Sequence, residues 1–266
     1  MIAHPPRYDR GVAAQRDLAP GVPPDYYARI RAAEDEHWWF RGMRATSAAL
    51  LGRRMSAGLR VLDAGCGTGG YLRWLLDTGS FAGAAGVDVA TAAIELARER
   101  IPEADLHVAA LAELPFPDGS FELVVTNDVL QHVDEAELGA SYAELHRVLA
   151  PGGTLLVRTN GSRRLRRERS DWRAYDAGTL RRELEQAGFA VERVTHANLL
   201  PSAWGRFRGR VPHAPSEERH GIPDAQEPPL RSAVGIALLQ LEARVLALRS
   251  LSLPYGHTLF ALARRT

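Results

Sequence analysis

The stretch Val61-Leu62-Asp63-Ala64-Gly65-Cys66-Gly67-Thr68-Gly69-Gly70 can be folded in few ways. An apolar strand runs into a cluster of glycines, and a helical pattern begins near Tyr71. Glycine at such a turn lets the backbone pass close to a ligand, where any Cβ would collide. The spacing by itself leaves two readings open. Gly65, Gly67 and Gly69 fit GxGxG, whereas Gly65, Gly67 and Gly70 fit the dinucleotide pattern GxGxxG.

The chain around this turn alternates short apolar runs with helical patterns, which predicts a parallel sheet covered on both faces. Strands are expected near 60–64, 83–89, 106–109, 121–127 and 153–159, with helices at 70–77, 92–100 and 135–149 between them. Pro151-Gly152-Gly153 is expected to end the last of these helices and turn the chain into the fifth strand. A helix near 177–187 and a strand near 191–196 follow. The fold expected is a doubly wound, Rossmann-like α/β sheet of seven strands with helices on both faces. Residues 1–24 read as a loose arm, 25–56 as a helical cap, and 57–198 as the core. The proline-rich stretch 199–233 reads as a loop insertion or lid, and 234–266 as a final amphipathic helix and strand that complete the core. The helix near 230–249 can serve an internal core or a homodimer.

Two acids bear on the ligand. Asp63 ends the first strand two residues before Gly65, where it would repel a pyrophosphate but attract a cation such as the amino-acid portion of S-adenosylmethionine. Asp88 ends the second strand, where a carboxylate can take both ribose hydroxyls of a nucleoside. Asp88 suits a nicotinamide dinucleotide equally well; Asp63 favours S-adenosylmethionine.

These residues resemble class I S-adenosylmethionine-dependent methyltransferases. VLDAGCGTG looks like the family's first motif, and Gly86-Val87-Asp88 like its ribose-binding acid. Leu114 to Phe121, Asn127 to Val133, and Leu149 to Leu155 resemble the segments around its fourth and fifth strands. The resemblance implies cofactor contacts from Asp63, Gly65, Cys66, Gly67, Asp88, Val89 and Asn127. Many relatives carry an acid facing the adenine amino group, but this chain has Ala109-Ala110-Leu111-Ala112 there. The backbone of Leu111 and Ala112 is then expected to meet the adenine edge, with Glu113 as a substitute acceptor. Glu36-His37-Trp38-Trp39-Phe40-Arg41 and Arg44, with Leu253 to His257, are similar to methyltransferases near polysaccharide and natural-product gene sets. That likeness implies that Trp39, Phe40 and Arg44 touch the methionine end, Arg44 by pairing with its carboxylate. Core packing is the plainer role of both tryptophans.

Such a cofactor brings its own electrophile, so the protein has chiefly to orient an acceptor and exclude water. His132 is the candidate general base, and Tyr27, Trp172, Tyr175 and His196 are candidate walls of an acceptor cleft. The arginine run 163–169 and Arg206, Arg208 and Arg210 can hold an acidic substrate, or simply form a solvated face in a chain without lysine.

The composition excludes several alternatives. A net charge of +1 gives no field for nucleic acid or an anionic membrane. One cysteine allows no disulfide framework, and no metal-ligand spacing stands out. The absence of lysine removes Schiff-base chemistry and the phosphate-loop lysine. No apolar run approaches the roughly 20 residues of a membrane helix, and the cytoplasm is the expected location. The expected activity is methyl transfer to a small molecule, a secondary metabolite at oxygen, nitrogen or carbon. The alternatives are methylation of sugar or polysaccharide precursors, a cofactor-binding enzyme that transfers no methyl, and a nicotinamide-dependent oxidoreductase, which Asp63 disfavours.

Overall fold

The computed structural model describes residues 25–79, 81–161, 173, 175–201, 203, 229–248 and 250–266. The expectations for the arm at 1–24, for Trp172, for the two arginine sets and for most of 199–233 lie outside these residues.

Seven strands form one sheet: β1 (Arg60–Ala64), β2 (Gly83–Asp88), β3 (Asp105–Val108), β4 (Phe121–Asn127), β5 (Leu149–Asn160), β6 (Phe189–Ala197) and β7 (Thr258–Arg265). Their order is β3-β2-β1-β4-β5-β7-β6. β7 runs antiparallel to both of its neighbours, and the other pairs are parallel. The order reverses between β1 and β4, and a crevice at the carboxyl ends of those strands is where open sheets of this kind take ligands.

Helices cover both faces, which is why the central strands read as continuous apolar runs. On one face, Leu62, Val124, Leu155 and Val157 meet α5 (Glu135–Val148) and α6 (Ala177–Gln186). On the other, Val61, Leu123, Val125 and Leu156 meet α2 (Trp38–Leu51), α3 (Gly70–Thr78), α4 (Thr91–Arg100) and α7 (Pro229–Leu246).

Three local features differ from the sequence reading. The expected helical cap at 25–56 is two helices, α1 (Tyr26–Ala33) and α2, followed by a short 3-10 turn at Gly52–Arg54. His37 caps α2, its Nδ1 accepting from the Trp39 amide at 3.2 Å. Second, Pro151-Gly152-Gly153 does not end a helix. α5 stops at Val148, β5 begins at Leu149 opposite Phe121, and the register then shifts between Phe121 and Leu123. Gly152, at φ 75°, absorbs that irregularity.

Third, α7 is apolar on more than its packed side, with Leu230 78% and Leu241 50% exposed. Its buried stripe includes Gly235, Leu239, Glu242 and Leu246. This stripe meets the cap through two close approaches. A Cβ on Gly42 would lie 2.1 Å from Leu239 Cδ1, and one on Gly235 would lie 2.7 Å from the Trp38 ring. Each glycine makes room for the other helix's bulk, so truncating Leu239 to Ala should cost about 2–5 kcal/mol. The cap is thereby held by the last helix of the chain.

Candidate active site

The glycine turn joins β1 to α3 through three left-handed residues, Gly65 (φ 91°), Gly67 (φ 53°) and Gly69 (φ 82°). The Gly65 and Cys66 amides both donate to the Val87 carbonyl at 2.8 Å, which pins the turn to the end of β2. Asp88 completes the pinning: Oδ2 accepts from the Gly67 amide and Oδ1 from the Ala90 amide, both at 3.0 Å. Part of its surface stays open. Burial raises the Asp88 pKa, and the amides of Ala90, Gly67 and Val89 pull it back. Cys66 is buried, and burial pushes its thiol well above the ordinary value.

Asp63 lies at the end of β1 and is 1% exposed. Its Oδ1 has no hydrogen-bond partner among the described residues. Burial pushes its pKa up to about 7, against the opposing pull of Arg158. Alternation along the strands puts Asp63, Asn127 and Arg158 on the same face as Val61, Val125 and Leu156. Both polar atoms of the Asn127 side chain are likewise buried without a partner among the described residues. Arg158, only 6% exposed, bonds Asp128 Oδ2 from Nε at 3.0 Å and from Nη2 at 2.7 Å. Its guanidinium also lies over the Trp39 ring, 5.0 Å from the centroid. Asp128 itself sits at φ 58°, and its amide donates to the Arg158 carbonyl at 2.8 Å.

The cap supplies the facing wall. The Tyr71 hydroxyl at the start of α3 is buried with no hydrogen-bond partner among the described residues, and burial raises its pKa. Arg44 donates from Nη2 to the Gly70 carbonyl at 3.0 Å, so it meets the glycine turn itself. Tyr26 crosses toward the two strand ends: burial, then the charges of Asp128 and Asp88, push its pKa up to about 12. Tyr27, expected beside the acceptor, is buried against Ala90 and Ala93 at the start of α4, close after Asp88 in the chain. Leu111 is buried in the core, and Ala112 is half-buried in a turn where the Glu113 amide donates to the Ala110 carbonyl at 3.1 Å. Val89 is exposed beside Asp88.

The acceptor-side candidates are dispersed. His132 is exposed on a short 3-10 turn, Leu130–His132, with its amide bonded to the Val129 carbonyl at 2.8 Å. Tyr175, expected to line a cleft, has no exposed surface; its amide donates to Asn160 Oδ1 at 3.3 Å, and it is a packing residue. His196 is on β6, beyond β7 from the centre of the sheet, with Nδ1 3.1 Å from the Leu253 carbonyl. Burial lowers its pKa, and Leu253 partly offsets that shift.

Arg158, Asp128 and Tyr71 escaped the sequence reading. Arg158 left one usable signal: a charged residue near the carboxyl end of the apolar run Leu155-Leu156-Val157, at a register that alternation assigns to the interior. Among the described residues, no group of three or more His, Cys, Asp or Glu is set to hold a metal, and no helix is long and apolar enough to cross a membrane.

Comparison with known proteins agrees with this geometry. Residues 62–157 match the family model described as a methyltransferase domain. A Mycolicibacterium smegmatis protein, named for S-adenosylmethionine-dependent methyltransferase activity, is 35% identical over 170 residues, covering 61% of this chain and 63% of that one. A malonyl-[acyl-carrier protein] O-methyltransferase of Halorhodospira halophila is 40% identical over 121 residues, covering 42% of this chain and 39% of that one. The chain thus spans less than two thirds of the length of these curated relatives. A solved S-adenosylmethionine-dependent methyltransferase of Mesorhizobium loti shares the fold, with a TM-score of 0.53 at 20% identity over 87% of this chain and 100% of that one. Sheet order and glycine turn thus agree with the match of residues 62–157 to a methyltransferase domain and with the likeness to S-adenosylmethionine-dependent methyltransferases.

Proposed function

We propose that the chain uses S-adenosylmethionine to methylate a small-molecule acceptor. The observation that carries this reading is the pair of acids at the glycine turn, Asp63 buried with a bare oxygen and Asp88 part-open beyond it. A buried carboxylate with an unmet acceptor is costly unless a donor arrives, and a cationic amino group is the best such donor. A pyrophosphate would meet like charge there.

The residues present fit the cofactor. Asp63 and Asn127 would hold the amino-acid portion, with Trp39 and Arg44 closing over it from the cap. Asp88 would take the ribose hydroxyls, and the backbone at Leu111 and Ala112 the adenine edge. The open backbone of Gly65, Cys66 and Gly67 would let it lie close. When bound, S-adenosylmethionine supplies an activated methyl on a sulfonium. The chain's own work is then to orient the acceptor and exclude water, for which the aromatic cap residues serve. Where the acceptor must lose a proton, we assign the task to His132, at the mouth of the turn that follows β4. The relative that methylates an oxygen of a carrier-bound malonyl group favours an oxygen acceptor. We further assign the acceptor to secondary metabolism in the cytoplasm.

Mass spectrometry of the purified protein, native and then denatured, tests the cofactor. Bound S-adenosylmethionine or S-adenosylhomocysteine is the expected result. Calorimetry showing binding of a nicotinamide dinucleotide and not of S-adenosylhomocysteine would overturn the reading. In an active assay, His132→Ala should lower turnover far more than cofactor affinity and should flatten the pH–rate profile near neutrality.

A further inference from the structure

Gly70 lacks the reason that the other glycines of the turn have. It opens α3 without a left-handed backbone, yet a Cβ there would lie 2.2 Å from Glu34 Cδ and 2.5 Å from Arg100 Nη1. The glycine makes room for a carboxylate delivered by the cap. Glu34 closes the last turn of α1, its amide bonded to the Ile30 carbonyl at 2.9 Å, and is only 6% exposed. Its Oε1 accepts from Thr68 Oγ1, inside the glycine turn, and from Arg100 Nη1, at the end of α4. Thr68 is itself 1% exposed. Neighbouring contacts repeat the attachment: Arg100 Nη2 donates to Asp35 Oδ2 at 2.7 Å, and Arg44 reaches the Gly70 carbonyl.

The Thr68 and Arg100 bonds join the α1–α2 junction to the turn and to α4, and the Arg44 bond joins α2 to the turn. Within the cap, Arg44 also pairs with Asp35 at 3.6 Å. The junction is also where one expected helix breaks in two, so the attachment sits at the cap's own bend. Eight residues earlier, about 12 Å along a helix, α1 carries Tyr26 to the charges of Asp88 and Asp128. α1 therefore spans the turn from the ribose acid to Thr68. A nucleoside seated on the turn would lie beneath it.

We propose that Glu34 is a positioning residue that ties the cap to the glycine turn, so that closure of the cap and retention of the bound nucleoside are one equilibrium. The nucleoside half of this statement rests on the cofactor reading above; the tie itself does not. A ligand held in the turn keeps Thr68 in place for Glu34, and Glu34 in turn keeps α1 over the ligand, as reciprocal coupling requires.

The test uses the full chain with Glu34→Gln, which preserves shape, together with Gly70→Ala, Glu34→Ala and their double variant. Hydrogen exchange without ligand reads the tie, and affinity and dissociation rate for S-adenosylhomocysteine read its consequence. In Glu34→Gln, exchange at 65–70 and 38–47 should quicken together by about tenfold, while β5 and β7 keep the wild-type rate. S-adenosylhomocysteine should bind about tenfold more weakly, chiefly through faster dissociation. Gly70→Ala should reproduce both effects, yet change neither by more than about twofold in the Glu34→Ala background, since the carboxylate it displaces is gone and the Arg100 side-chain end, no longer held by it, can move aside. Unchanged exchange in Glu34→Gln, a rise spread evenly over the sheet, or additive effects in the double variant would overturn the proposal. If the wild-type chain binds no S-adenosylhomocysteine but exchange responds as stated, the tie stands and the cofactor reading falls.

Discussion

The carboxyl ends of the central strands present two faces, and their polar groups are disposed in opposite ways. Toward the cap, Asp63 Oδ1 and both polar atoms of Asn127 are buried without partners among the described residues. Toward α5 and α6, the side chains bond one another. Gln131 Oε1 accepts from Thr159 Oγ1 at 2.7 Å and from the Asn160 amide at 3.2 Å. Asn160 then bonds the Arg173 carbonyl at 3.0 Å and the Tyr175 amide at 3.3 Å. Tyr142 donates to Glu183 at 3.0 Å, and Arg173 pairs with Glu183 and Glu135. Thr126 Oγ1 is an exception on this second face. Buried polar groups are nearly always satisfied, so a cluster of unmet ones marks where a ligand completes the structure, and a closed network marks scaffold. The first face is built to be finished by something else.

The strongest way to break this contrast is Asp63→Asn, which keeps the shape and removes the charge. Cofactor affinity should fall by about 100-fold, near the upper range for losing one charge-assisted hydrogen bond in a buried site. The pH dependence sharpens the test. The raised pKa of Asp63 means that the folded chain holds this proton more tightly than the unfolded chain does. The free protein therefore loses stability as pH climbs from about 4 towards 7, while a cationic ligand, which favours the ionised form, binds better across that window. Calorimetry between about pH 5.5 and about pH 8 should show affinity rising and then levelling in the wild type. In Asp63→Asn this rise should be largely lost; a rise equal to the wild type's would show that Asp63 is not the responding group.

Asp88→Ala should weaken cofactor binding by about tenfold, the worth of roughly one good hydrogen bond to a charged acceptor. It also frees the Gly67 and Ala90 amides, so melting should fall modestly without loss of the cooperative transition. Wild-type affinity in that variant would remove the ribose role. On the second face the expectation reverses. Gln131→Ala strands Thr159 Oγ1 and the Asn160 amide and should cost about 1–3 kcal/mol in denaturant unfolding. Cofactor affinity should stay within about twofold, as expected for a site outside the ligand's contacts. A large loss of affinity there would erase the distinction between the faces.

The same contrast governs what was legible in the sequence. β1 and β4 fall at the expected residues, and Asp63 and Asp88 lie beside the turn as their spacing implied, because strand, turn and acid are neighbours along the chain. The break between α1 and α2 was not legible. Glu34, Asp35 and Glu36 all tolerate a helix, and the bonds that hold Glu34 where α1 ends run to Thr68 and Arg100, which lie 34 and 66 residues away. Tyr175 misled for a related reason. An aromatic residue after β5 can line a cleft or fill a core, and only the partner at Asn160, together with full burial, decides for the core.

The smallest effect is expected where the two halves of the edge meet. Trp39 comes from the cap, while the guanidinium beneath it belongs to β5 and is neutralised by Asp128. Cation–π attraction of this kind contributes about 0.5–2 kcal/mol, and Trp39→Leu removes it while leaving apolar bulk. If Trp39 acts mainly by holding Arg158, cofactor affinity should fall by only about two- to fivefold, and the same factor should vanish in an Arg158→Met background. If Trp39 contacts the ligand directly, the loss should persist in that background. The cycle thus separates a wall of the pocket from a prop behind it, on the side of the sheet where Asp63 and Asn127 stand beside the Arg158–Asp128 ion pair.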